Sequence, residues 1–165
     1  MPHAGVCRLV VRHQEGLAEV IRFVTEGLEI GQQVVAMAGP GCLKHLARAL
    51  TESGLRPDSL LHNHRLVFLT VPDCVGQLSR LEDPLQRAPL RRNGPMLRWV
   101  SDWSWAYSNG RDPAAILEYQ HRLHDFLRSF DALSLCTVHC QKLERASLLA
   151  VLADHRRAAK TRLPV

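Results

Sequence analysis

A chain of 165 residues and 18.6 kDa, 46% apolar and 22% charged, is the size of one compact domain with apolar side chains enough for a core, which excludes wholesale disorder, a collagen-like repeat or a polar tether. The longest uninterrupted apolar run, Leu148 to Ala153, falls far short of the roughly 20 residues of a membrane-spanning helix, and Met1-Pro2-His3 opens no charged-then-apolar export signal. The expectation is one soluble, cytoplasmic domain over 1–165, with a basic tail from about 156. Lys+Arg 21 against Asp+Glu 16 gives a formal +5 and a pI near 9.3, concentrated at Arg87, Arg91, Arg92 and Arg98 and again at Arg156, Arg157, Lys160 and Arg162. No aromatic-rich binding strand, zinc-finger spacing or helix-turn-helix accompanies these clusters, which argues against direct nucleic-acid binding. The five cysteines (Cys7, Cys42, Cys74, Cys136 and Cys140) are odd in number, so they read mostly as buried thiols rather than a disulfide framework.

In chain order, Cys7 to Val11 is short and rich in β-branched residues, a strand. Leu17, Val20, Ile21, Val24 and Leu28 recur at three- and four-residue steps and predict a helix within Gln14 to Leu28, with Gly27 and Gly31 punctuating its end. Val34 to Ala38 is an unbroken apolar run suited to a strand covered on both faces. Gly39-Pro40-Gly41 follows, and Leu43, Leu46, Ala47 and Leu50 mark the next helix. Leu66 to Val71 and Met96 to Ser101 repeat the strand signature, and Pro72, Pro84, Pro89 and Pro95 divide an irregular stretch between them. Asp112-Pro113 is a good helix opening, after which Ile116, Tyr119, Leu123, Phe126, Leu127 and Phe130 form a stripe. A strand at Leu133 to Val138 and a helix around Leu143 to Leu152 complete the chain. Strands alternating with helices imply an α/β, three-layer sandwich with a mainly parallel central sheet. Such sheets bind ligands beyond the carboxyl ends of their strands, directing attention to Gly39 to Lys44, Pro72 to Cys74, Ser101 to Trp105 and His139-Cys140.

Gly39 to His45 lies where a phosphate loop would lie, between a buried strand and a helix, but it lacks the G-x-x-x-x-G-K-[ST] pattern. Leu43 obstructs close backbone approach, and His45 replaces the hydroxyl that holds magnesium. Lys44 then reads as a solvated helix charge or as a contact for some other anion at a helix N-terminus. Asp102 follows a strand where an ATPase would place a carboxylate for magnesium-bound water. Without a phosphate loop it reads instead as a helix cap or a polar group facing a cavity, and ATP hydrolysis is disfavoured. All three tryptophans fall at Trp99, Trp103 and Trp105. Trp99 reads as core, whereas Trp103 and Trp105, beyond the strand end, could wall an apolar pocket for a small organic ligand. Cys136, His139 and Cys140 invite a metal reading, but on a continuing strand Cys136 and His139 face opposite sides, so buried thiols are favoured. A catalytic pair of Cys140 with His139 is a further alternative. His121 and His124, three apart with no evident third ligand, read as a solvated helix face.

The order of these segments resembles the MEDS sensory domain, named for methanogen and methylotroph regulators and the DcmR repressor. Phe23 with Gly27-Leu28-Glu29-Ile30-Gly31-Gln32 is similar to the family's F-x-x-x-G-L-x-x-G-E. Leu97 to Trp105 is similar to L-R-x-x-G-E-M-S-W, with Asp102 in place of glutamate. Tyr119-Gln120 resembles the Y-E helix, Leu135-Cys136 the L-C-Q-Y strand and Leu152 to His155 the terminal L-x-x-H-P. The resemblance implies a RecA/KaiC-like core without a functional phosphate loop, a sensor of small organic molecules rather than an enzyme. It needs no cofactor and no resident metal. The candidate ligand-binding residues are Lys44, Asp102, Trp103, Trp105, Tyr119, Cys136 and His139. With no output domain expected, the signal would pass by association with a regulatory protein or a second copy of the chain to control transcription or signal transduction. The competing readings are a divergent nucleotide-binding enzyme and a metal-responsive regulator using Cys136, His139 and Cys140.

Overall fold

The computed structural model describes residues 7–12, 17–70, 87–108, 112–139 and 144–160. Its strands are β1 (Cys7–Arg12), β2 (Val34–Ala38), β3 (Leu66–Thr70), β4 (Leu97–Asp102) and β5 (Ala132–His139). They form one sheet in the order β1-β5-β4-β2-β3, and every pairing is parallel. The helices are α1 (Ala18–Glu29), α2 (Pro40–Glu52), α3 (Pro57–His62), α4 (Ser104–Ser108), α5 (Pro113–Leu127) and α6 (Arg145–Lys160). The α/β three-layer expectation is met, and no helix among the described residues is long and apolar enough to cross a membrane.

Both faces of the sheet are covered, which is why β2 reads as a solid apolar run: all five of its residues are buried. Side chains alternate between the two layers. Val34, Ala36 and Ala38 join Val100 and Leu135 against Val20, Val24 and Leu28 of α1, Leu43, Leu46 and Leu50 of α2 and Leu60 of α3. Val35 and Met37 join Trp99, Cys136 and Val138 against Ile116, Tyr119, Leu123 and Leu127 of α5 and Val151 of α6. Phe130 belongs to this second core although it lies three residues past the end of α5.

Two polar side chains tie the layers together. Arg98 leaves β4 and crosses α1: its Nη1 donates to Phe23 O at 2.8 Å, its Nε donates to Gln32 Oε1 at 2.6 Å, and its guanidinium lies 4.9 Å over the Phe23 ring. Charge-assisted bonds of this kind stabilise by about 1.5–3 kcal/mol each. Gln33, buried before β2, donates through Nε2 to His64 O and Pro89 O and accepts at Oε1 from Arg91 N, at 2.7, 2.8 and 2.9 Å. It anchors the chain that leads into β4. Gly31, at φ +81°, supplies the left-handed turn that ends α1.

Candidate functional site at the carboxyl ends of the strands

A parallel sheet puts every strand's carboxyl end on one edge, and the strand order fixes where ligands can reach it. The connection after β2 runs to α2 in one outer layer, and the connection after the adjacent β4 runs to α4 and α5 in the other. Where neighbouring strands send their connections to opposite faces, a crevice opens beyond them. Asp102 ends β4 and Trp103 follows it on the β4 side of this switch point, both buried.

Asp102 is 4% exposed and sits opposite Thr137 in the register of β4 and β5. Its Oδ2 accepts from Thr137 Oγ1 at 2.7 Å, and its Oδ1 accepts from Ser104 N at 3.1 Å, at the start of α4. Ser104 Oγ in turn accepts from His139 N at 2.8 Å, and Trp103 N donates to Thr137 O at 3.0 Å. The last turn of β4 is thereby sewn to the end of β5. Asp102 thus acts as a cap and crosslink, one of the two roles its position suggested.

His139 lies at the end of this network and is 2% exposed, yet neither Nδ1 nor Nε2 has a hydrogen-bond partner among the described residues. The same holds for Trp103 Nε1 and for both amide atoms of Gln120. Buried polar groups are nearly always paired, and each unmet one costs about 1–3 kcal/mol. Trp103 is wholly buried and meets Tyr119 edge-on, with centroids 5.7 Å apart at 66°. It is packed in the core of the α5 layer, with an indole N–H that has no partner among the described residues. Gln120, the neighbour of Tyr119 on α5, is likewise wholly buried.

Other expected site residues are placed elsewhere. Lys44 is exposed and lines a shallow surface groove with Gly41, His45, Arg48 and Glu52, apart from the buried network. A single residue, Gly39, joins β2 to α2, too short a connection to wrap a phosphate, and the helix's first residue is Pro40, which has no N–H. Leu43 is committed to the core. Cys136 is a buried thiol, as expected, but it belongs to the layer of α5, whereas His139, three positions on, projects to the opposite face. The Cys136, His139 and Cys140 grouping is therefore not assembled through Cys136. Cys140, the Trp105 side chain and Pro72 to Cys74 lie outside the described residues.

The structure also corrects the reading of His124. It is buried, not solvated, and its Nε2 lies 3.8 Å from Cys136 Sγ, while His121 is exposed. No periodicity could reveal this, because the apolar stripe of α5 predicts which face is buried but not that a histidine shares it. A second concavity of about 350 Å³ opens between α1 and β5, lined by Glu19, Arg22, Phe23, Arg98, Leu133 and Leu135 among others. It falls within the size range of small-ligand sites.

A family model described as MEDS, the MEthanogen/methylotroph, DcmR Sensory domain, matches residues 6–156. Comparison with curated proteins gave no match. Two of the motif segments within that range meet in space. Phe23, Gly27 and Gln32 from one motif all touch Arg98 from the next, so part of the pattern encodes the packing of α1 on β4.

Proposed function

The chain belongs to the MEDS family of sensory domains, and from that membership we propose that it is a non-catalytic receptor for a small organic molecule bound at the carboxyl ends of β4 and β5. The observation that carries the proposal is His139, a buried imidazole with two unanswered ring nitrogens beside the Asp102–Thr137–Ser104 network. An imidazole offers one donor and one acceptor when neutral. A ligand with a hydroxyl, carbonyl or amine on a short apolar body would satisfy it and recover the cost of its burial. Trp103 Nε1 and the Gln120 amide are unmet too, but they belong to the α5 layer on the other face of the sheet, so the proposal rests on His139.

Binding changes the output only if it favours one conformation over another. The ordered hydrogen bonds from Asp102 through Ser104 to His139 couple β4, α4 and β5, so a ligand on His139 would pull on the start of α4. From there the signal passes to a regulatory protein or to a second copy of the chain. The expected test is a thermal-shift screen of small oxygenated, aminated and halogenated organics followed by calorimetry. A ligand present at a hundred times its Kd stabilises by about 2.7 kcal/mol, a rise of about 5–10 °C for a domain of this size. A hit whose effect vanishes in His139→Leu supports the site. Silence across the library, or hits indifferent to His139→Leu, removes it.

A further inference from the structure

On the opposite face of the sheet from His139, three potential metal ligands from three elements converge. His124 of α5, Cys136 of β5 and His155 of α6 each place one donor atom within 4.8 Å of the other two. Cys136 Sγ and His124 Nε2 are 3.8 Å apart, and the two imidazoles meet edge-on with centroids 5.5 Å apart. Donor atoms on one tetrahedral zinc ion stand about 3.3–3.8 Å from each other, given Zn–N near 2.0–2.1 Å and Zn–S near 2.3 Å, so small side-chain rotations bring this trio onto a single ion. We infer that His124, Cys136 and His155 form a binding site for one soft, zinc-class divalent metal ion.

Three features support this over simple packing. The ligand set is mixed sulfur and imidazole, the chemistry preferred by zinc and its neighbours and shunned by magnesium and calcium. His155 is oriented from behind: its Nδ1 lies 2.9 Å from Val151 O, and since a carbonyl can only accept, Nδ1 carries the proton and the lone pair is on Nε2. Fixing the tautomer through a backbone carbonyl is the usual second support of a metal-bound histidine. His124 and Cys136 are buried while His155 is half-buried, which gives the ion a way in along α6 and leaves a fourth position for solvent or a small donor molecule. The ion would fasten α6 to β5 and α5. The inference is independent of the His139 site, which lies on the other face.

The test is titration of tag-free, metal-stripped full-length chain with Co²⁺ under reducing conditions. One equivalent should produce visible d–d bands and a near-ultraviolet thiolate-to-cobalt band, and Zn²⁺ should displace both. Cys136→Ser should abolish the charge-transfer band, and His155→Ala, at a half-buried position, should weaken binding at least tenfold while circular dichroism shows the fold intact. Zn²⁺ should also raise the melting temperature of the unmodified chain and not that of His155→Ala. Absence of a thiolate band in the unmodified chain overturns the inference. So does its persistence in Cys136→Ser, which would place the ion on other cysteines, or an affinity unmoved by His155→Ala.

Discussion

Arg98 Cδ occupies the place where a side chain on Gly27 would begin: a Cβ built there comes within 2.5 Å of it, and within 3.0 Å of Val34 Cγ2. Glycine in mid-helix normally costs about 1 kcal/mol relative to alanine. Here it creates the notch through which the arginine reaches Phe23 and Gln32.

The sign of a Gly27→Ala substitution therefore depends on residue 98. In the native background the methyl group displaces a guanidinium held by hydrogen bonds to Phe23 O and Gln32, an ion pair with Glu26 and the Phe23 ring, and stability should fall by about 1–3 kcal/mol. With Arg98→Ala already in place, the same change should be neutral or stabilising by up to about 1 kcal/mol. Urea denaturation of the four members of this double-mutant cycle measures the coupling. Equal effects in both backgrounds would mean that the notch is not what glycine provides.

Gln33→Leu keeps volume and removes three hydrogen bonds. His64 O, Pro89 O and Arg91 N lose their side-chain partner, and the expected loss is about 2–4 kcal/mol. Hydrogen exchange should quicken at the Arg91 amide before it does so in β2, because Gln33 is what holds that segment to the sheet's amino-terminal edge. Uniform acceleration across β2 and residue 91 would count against an anchoring role.

Asp102 and Thr137 form one unit. Asp102→Ala should cost about 2–3 kcal/mol by leaving Thr137 Oγ1 and Ser104 N without their acceptor. Thr137→Val leaves the carboxylate buried with one partner fewer, and combining the two changes should cost less than their sum. Additive losses in chemical denaturation would show that the pair is not coupled.

His139 differs from these in kind. Its ring nitrogens make no hydrogen bond among the described residues, so His139→Leu should leave the melting temperature unchanged or raise it, while abolishing the ligand response. Residues kept for binding rather than folding show this trade. A drop of several degrees would instead assign the imidazole a structural part.

The layered architecture was readable in the sequence because parallel strands covered by helices announce themselves as apolar runs, as Val34 to Ala38 does in full and Leu66 to Val71 does for an edge strand buried at Leu66 and Val67. Short helices were not: α3 and α4, of six and five residues, are too brief to show a period. The candidate site was half visible. Its location at the strand ends follows from fold class, and Asp102 and His139 could be nominated from position. Their partners could not, since Thr137 meets Asp102 only through a strand register that nothing local specifies. Nor could the His124 contact with Cys136, which depends on how α5 is rotated above β5. Lys44, read as either a solvated helix charge or an anion contact, is exposed because α2 turns Leu43, Leu46 and Leu50 to the core.

The sheet order carries a consequence for biosynthesis. β1 docks beside β5, with Cys7 opposite Ser134, so among the described strands β1 has no partner until β5, over a hundred residues later, has been made. Until then its backbone amides and carbonyls are unmatched, and closure of that long loop is entropically slow. A fragment truncated before β5 would leave both β1 and the β5-facing edge of β4 unpaired, and unpaired strand edges template aggregation.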